Sequence, residues 1–122
     1  MLLLQHQGFS EWVASILHNK KGAAHLLRMP VFAALAQTWL KHPAKAEEFW
    51  LMLRDDCDEP AKSPIRKLYK YLLTHKLGPA REGLESANNR AMYLHCLLTW
   101  NAWKGKTDLL AYKEDMPTPV VV

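Results

Sequence analysis

Between Asn89 and Lys104 the chain carries Met92, Tyr93, Leu94, Cys96, Leu97, Leu98, Trp100 and Trp103, an order that leaves a helix without a polar face. A helix apolar almost all round is either surrounded by its own fold or buries its extra face against a second subunit. The rest of the chain therefore has to supply the walls. If it does not, a homodimer seam along 89–104 is the alternative.

The walls are legible as helical stripes. Ser10 suits an N-cap, and Phe9, Trp12, Val13, Ile16 and Leu17 follow the i, i+3, i+4, i+7 pattern of an amphipathic helix that ends near Gly22. A short apolar piece from Ala23 to Met29 leads to Pro30, which suits the first turn of a second helix. Its expected buried face is Phe32, Leu35, Ala36, Trp39 and Leu40. His42 and Pro43 stop that helix, and Pro43 opens a third, with Ala46, Phe49, Trp50 and Leu53 inward. After a polar, acidic stretch from Asp55, Ser63 and Pro64 begin a fourth helix with Ile65, Leu68, Tyr69, Leu72 and Leu73 as its stripe. Gly78 and Pro79 are its stop signal.

Gly105 is the expected end of the fifth helix. Beyond Lys106 the helical period is lost, and Pro117 and Pro119 keep the last residues extended. Leu109, Leu110 and Tyr112 are candidates to pack back on the body, and Val120 to Val122 form either a loose end or an edge-pairing segment. With 122 residues, 49% of them hydrophobic, there is material for one core. The reading is an all-α, compact single-domain bundle of five to six helices. The fifth is central, residues 1–106 form the helical domain, and an extended C-terminal tail at 107–122 packs on it or trails from it.

The opening Met-Leu-Leu-Leu has no basic lead and no small-residue cleavage pattern, so it does not read as a secretory signal. No apolar run approaches the roughly 20 residues that span a bilayer. Cys57, in an acidic loop, and Cys96, in an apolar run, make an improbable disulfide pair. The expected location is cytoplasmic, with no membrane partner.

The charge is unevenly distributed. Residues 62–106 hold nine Lys or Arg and two acids, whereas residues 43–59 hold six acids and two bases, so a net charge of +4 conceals a strongly basic half. On the fourth helix, Arg66, Lys67, Lys70 and Thr74 lie opposite the Ile65 and Leu72 stripe, and no acid occurs between Lys62 and Arg81. Lys62, Arg66 and Lys67 lie at or near the helix N-terminus, where a cation opposes the macrodipole by about 0.3–1 kcal/mol. Helix stability does not explain them, whereas an anion meeting free N–H groups and basic side chains does. Lys76, Arg81 and Arg90 extend the basic zone across the next loop, where Gly78 and Gly83 give the backbone freedom to adapt. The competing explanation is a solvated lysine face that keeps the protein soluble.

Other chemistries find less support. Glu47 and Glu48 are expected in the first turn of the third helix and Arg54 in its last, an arrangement the dipole favours. They also speak against a recognition helix in a helix-turn-helix across His42 and Pro43, because phosphate would repel them. No zinc-binding spacing occurs among the six histidines and two cysteines, and His95 and Cys96 point to different sides of their helix, which leaves His95 as a partly buried, hydrogen-bonded histidine. The acidic loop Asp55, Asp56, Asp58 and Glu59 lacks the calcium-loop spacing and its glycine. There is no G-x-S-x-G, no glycine-rich phosphate loop and no separated carboxylate pair, so an enzyme is not expected, nor is a metal or cofactor.

Four of the five tryptophans fall on or near core stripes. Trp103, beside Lys104 and Lys106, is the exception, a candidate interface aromatic. The sequence thus points to a non-enzymatic nucleic-acid-binding protein. Lys62, Arg66, Lys67, Lys70, Lys76, Arg81 and Arg90, within 62–90, would contact the phosphates of DNA or RNA. The alternative is a small adaptor or inhibitor, such as a phage or other mobile element encodes, docking the same basic face on an acidic host protein.

Overall fold

Three of the helices carry a proline in their first turn, where its fixed φ suits the helix and its missing N–H costs nothing. The computed structural model describes residues 8, 10–14, 26, 28–54, 63–75, 83, 84 and 86–122. Its helices are α1, described over residues 10–14, α2 (Met29–Lys41), α3 (Pro43–Arg54), α4 (Pro64–Thr74) and α5 (Ala87–Gly105), with no strand among the described residues. Pro30 sits in the first turn of α2, and Pro43 and Pro64 open α3 and α4. The molecule is an all-α bundle, as the periodicity indicates. The expected end of the first helix near Gly22, the loop 55–62 and the Gly78–Pro79 stop lie outside the described residues.

α5 is the centre. It packs chiefly against α2 and α4, and Phe49 of α3 meets it edge-on at Trp100, with ring centroids 5.4 Å apart. Met92, Leu94, Cys96, Leu97, Leu98 and Trp100 are all buried. One core joins them to Leu35 from α2, Phe49, Trp50 and Leu53 from α3, and Ile65, Leu68 and Leu72 from α4. The apolar girdle of α5 is therefore covered within one chain. At the N-terminal end, Trp12 of α1 stacks on Trp39 of α2 with centroids 6.1 Å apart.

The stripes divide into those that hold and one that shifts. In α3 the buried residues are Ala46, Phe49, Trp50 and Leu53, as the spacing requires. In α4, Ile65, Leu68 and Leu72 are buried and Tyr69 half-buried, while Leu73 is left exposed. In α2 the buried face is Pro30, Val31, Ala34, Leu35 and Thr38, rotated by about one position from the expected one, and Leu40 is 56% exposed. α2 is apolar around most of its circumference, so the sequence offers two adjacent stripes of similar strength. A hydrogen bond to Thr38 accompanies the one the fold uses: Trp50 Nε1 donates to Thr38 Oγ1 at 2.8 Å, and Thr38 Oγ1 donates to the Leu35 carbonyl at 2.9 Å.

Two helix ends fall where expected but are built differently. α3 starts at Pro43, so Glu47 and Glu48 stand in its second turn and the dipole does not account for them. Glu48 instead forms an exposed pair with Lys45 at 3.6 Å, and Arg54 does lie in the last turn. At the far end of α5, Gly105 is still helical and Lys106 takes the left-handed position, with φ 54°. The N–H groups of Lys106 and Thr107 both donate to the Ala102 carbonyl, closing the helix.

The tail, residues 107–122, has no helix and lies back on the bundle. Asn101 of α5 clasps it from both sides, donating from Nδ2 to the Val120 carbonyl at 2.9 Å and accepting at Oδ1 from the Val122 N–H at 3.1 Å. Lys41 Nζ of α2 donates to the Val121 carbonyl, and the Val121 side chain packs against the core. Leu110 and Val120 remain exposed, at 68% and 82%.

Candidate functional site

α4 presents two faces that sequence spacing separates cleanly. Ile65, Leu68 and Leu72 face the core, and Lys67 and Lys70 are exposed. Neither lysine is in an ion pair among the described residues, where Lys45–Glu48 is the pair found. Arg66 is half-buried, its guanidinium 5.4 Å from the Tyr69 ring centroid. Ser63 precedes the helix without a side-chain capping bond, and no acid falls in the first turn. Lys67 therefore stands near the positive end of the dipole with no carboxylate of α4 to offset it.

The opposite end of α4 is neutralised. Arg28, just before α2, donates from Nη1 to the Leu72 carbonyl at 2.6 Å and the His75 carbonyl at 3.3 Å. A guanidinium on the last carbonyls satisfies acceptors the helix leaves unpaired and complements the dipole there. Arg28 thus ties the C-terminal end of α4 to the start of α2.

Of the seven basic residues singled out in the sequence, Lys62, Lys76 and Arg81 lie outside the described residues. Arg66, Lys67 and Lys70 share α4. Arg90, in the first turns of α5, is turned toward the tail: Nη2 donates to the Met116 carbonyl at 2.7 Å and Nη1 to the Glu114 carbonyl at 3.3 Å. Its guanidinium holds the start of the tail's return path. Trp103 is half-buried, 5.3 Å from Phe49 and 5.7 Å from Trp100, with Lys45 Nζ 6.0 Å from its ring. It forms the rim of the core, with one face toward a cation.

A second feature escaped the sequence. Tyr71 of α4 is stacked on His75 with ring centroids 3.8 Å apart, and on His95 of α5 at 4.0 Å. His95 in turn meets Tyr112 of the tail at 4.9 Å. Four rings from α4, α5 and the tail form one group, and with Asn88 and Ala91 they line a recess of about 210 Å³. His75 Nδ1 lies 2.9 Å from the Tyr71 carbonyl and 3.0 Å from Thr74 Oγ1, which fixes the imidazole at the helix end. Burial, then the neighbouring His75, lowers the pKa of His95 from 6.5. Burial, followed by Cys96 and Tyr112, pushes Tyr71 up to about 12. Near neutral pH both rings are uncharged. The available signal was the i, i+4 spacing of Tyr71 and His75; the partners His95 and Tyr112 lie on other elements.

Cys96 is fully buried, and burial pushes its thiol well above the usual range, so it is protonated and shielded. Among the described residues no group of three or more His, Cys, Asp or Glu gathers as a metal site, and no helix is long and apolar enough to cross a membrane. Comparison of the chain with protein-family models, curated proteins and solved structures finds no match.

Proposed function

We propose that the protein binds nucleic acid without catalysing a reaction, through the outward face of α4 and the loop that follows it. The observation that carries this reading is the pair Lys67 and Lys70, exposed on one helix and in no ion pair among the described residues, with Lys67 set near the helix's positive end. An exposed cationic face, one of whose charges opposes the helix dipole and neither of which pairs with a carboxylate among the described residues, is accounted for by an external polyanion. Lys62, Arg66, Lys76 and Arg81 add to the same stretch of chain, and Arg90 adds charge while holding the tail. A helix-turn-helix does not fit this picture. α2 and α3 are joined through His42 alone, too tight for the three- or four-residue turn of a DNA-reading pair.

The test is the salt dependence of binding to labelled DNA and RNA. Affinity is expected to fall steeply with salt, and a Lys67→Glu/Lys70→Glu variant to lose most of it. The slope of log affinity against log salt should drop by about 2, one for each phosphate contact removed. No binding at low salt, or retention of an acidic protein in place of nucleic acid after nuclease treatment, would overturn the reading.

A further inference from the structure

The geometry points to a base-binding recess: the Tyr71, His75, His95 and Tyr112 rings, beside the cationic ridge of α4, take one unstacked base of a single-stranded nucleic acid. This rests on the nucleic-acid reading above and narrows it from any polyanion to a strand whose bases are free.

Lys67 and Tyr71 are spaced i, i+4 on one ridge of α4, and His75, the residue that caps the helix, stacks on Tyr71 just beyond its end. The exposed ammonium of Lys67 therefore stands one turn from the Tyr71 ring, and Lys70 with Thr74 forms the adjacent ridge. A strand whose phosphates meet Lys67 and Lys70 passes the mouth of the recess, about one nucleotide further on.

The recess suits a base in size and chemistry. At about 210 Å³ it falls below the roughly 300–1,000 Å³ of pockets that take drug-sized ligands, and fits one planar ring system. Its lining is four rings, Ala91 and the exposed amide of Asn88, with no carboxylate to repel a phosphate. An amide donates and accepts in one plane, which matches the hydrogen-bonding edge of a base. His75 and His95 stack on Tyr71, so the ring offered to a base is the exposed His75, and stacking on an aromatic face beside a cationic track is how single strands are held without sequence readout. A duplex keeps its bases stacked inside and cannot fill the recess.

The experiment compares a short single strand with the same sequence as a duplex, at one salt concentration, on the native chain and two variants of the exposed His75. The native chain should prefer the single strand. His75→Ala should weaken single-strand binding by roughly 5- to 150-fold, the range a lost base–ring stack converts to, and leave duplex binding unchanged. His75→Phe, which keeps a ring, should restore the preference. Equal affinity for both forms, with His75→Ala silent while Lys67→Glu/Lys70→Glu abolishes binding, would overturn the base recess and leave the phosphate-binding reading standing. Absence of binding to either form by the native chain would overturn both.

Discussion

The indole N–H of Trp50 donates to the hydroxyl of Thr38 at 2.8 Å, twelve residues earlier and on the neighbouring helix. Both groups are fully buried, so each answers a need of the other: the donor has no water to turn to, and the hydroxyl would otherwise be a polar group in an apolar core. The same bond fixes the rotation of α2, because an inward Thr38 carries Val31, Ala34 and Leu35 inward with it and leaves Leu40 outside.

Removing the acceptor while keeping the shape isolates this bond. Thr38→Val leaves the Trp50 N–H buried and without its partner, and is expected to destabilise the fold by about 1–3 kcal/mol. The measurement is urea unfolding followed by tryptophan fluorescence. An unchanged midpoint would mean that the bond is not made in solution.

Acid should loosen the four-ring group before the rest of the bundle. The folded-state pKa of His95 is lowered from 6.5 by burial and by His75, so between the two values the unfolded chain binds more protons than the folded one. Stability tied to His95 is therefore intact above 6.5 and lost as the pH falls below it. The rings against His95 are Tyr71 from α4 and Tyr112 from the tail, and His75, just past α4, shares the recess; no carboxylate among them stabilises an imidazolium. The melting temperature should fall from about pH 7 to about pH 5, and His95→Phe should reduce that fall. An equal fall in the variant would assign the titration to another group.

Lys106 is a non-glycine residue at φ 54°, a conformation that costs a side chain about 1–2 kcal/mol and glycine almost nothing. Lys106→Gly is expected to raise stability by up to about 1 kcal/mol, after glycine's greater unfolded-state freedom is subtracted, or about 4 °C in Tm. Calorimetry reads this directly. A destabilised variant would show that the lysine side chain contributes more than its backbone strain removes.

Much of the fold was legible because local signals agreed with one another. Proline starts and helical spacing place α3 and α4, and the buried set of α3 is the one its spacing dictates. The all-round apolar run from Met92 to Trp103 marks α5 as the element the others enclose, since no other position in a monomer covers so much apolar surface. α2 was legible as a helix but not in its rotation, because its two apolar stripes differ by one residue and only Trp50 distinguishes them. The fifth helix ends at Gly105 as expected, but the left-handed residue that closes it is Lys106, a choice made by the geometry of the turn into the tail.

The candidate site divides the same way. The cationic face of α4 is a property of one helix, and spacing along that helix is enough to find it. The ring group is not: Tyr71, His95 and Tyr112 come from α4, α5 and the tail, and meet because α5 lies between the other two. Sequence reports the charge of Arg90, and only the folded chain reports the Glu114 and Met116 carbonyls to which it donates. By itself, then, the sequence determined what depends on neighbours three or four residues away: which segments are helical, which face of α4 is charged and which helix must be innermost. The tertiary structure decided the rotation of α2, the path of the tail and the meeting of the four rings. Each of these depends on a partner many residues distant, and no local periodicity records such a partner.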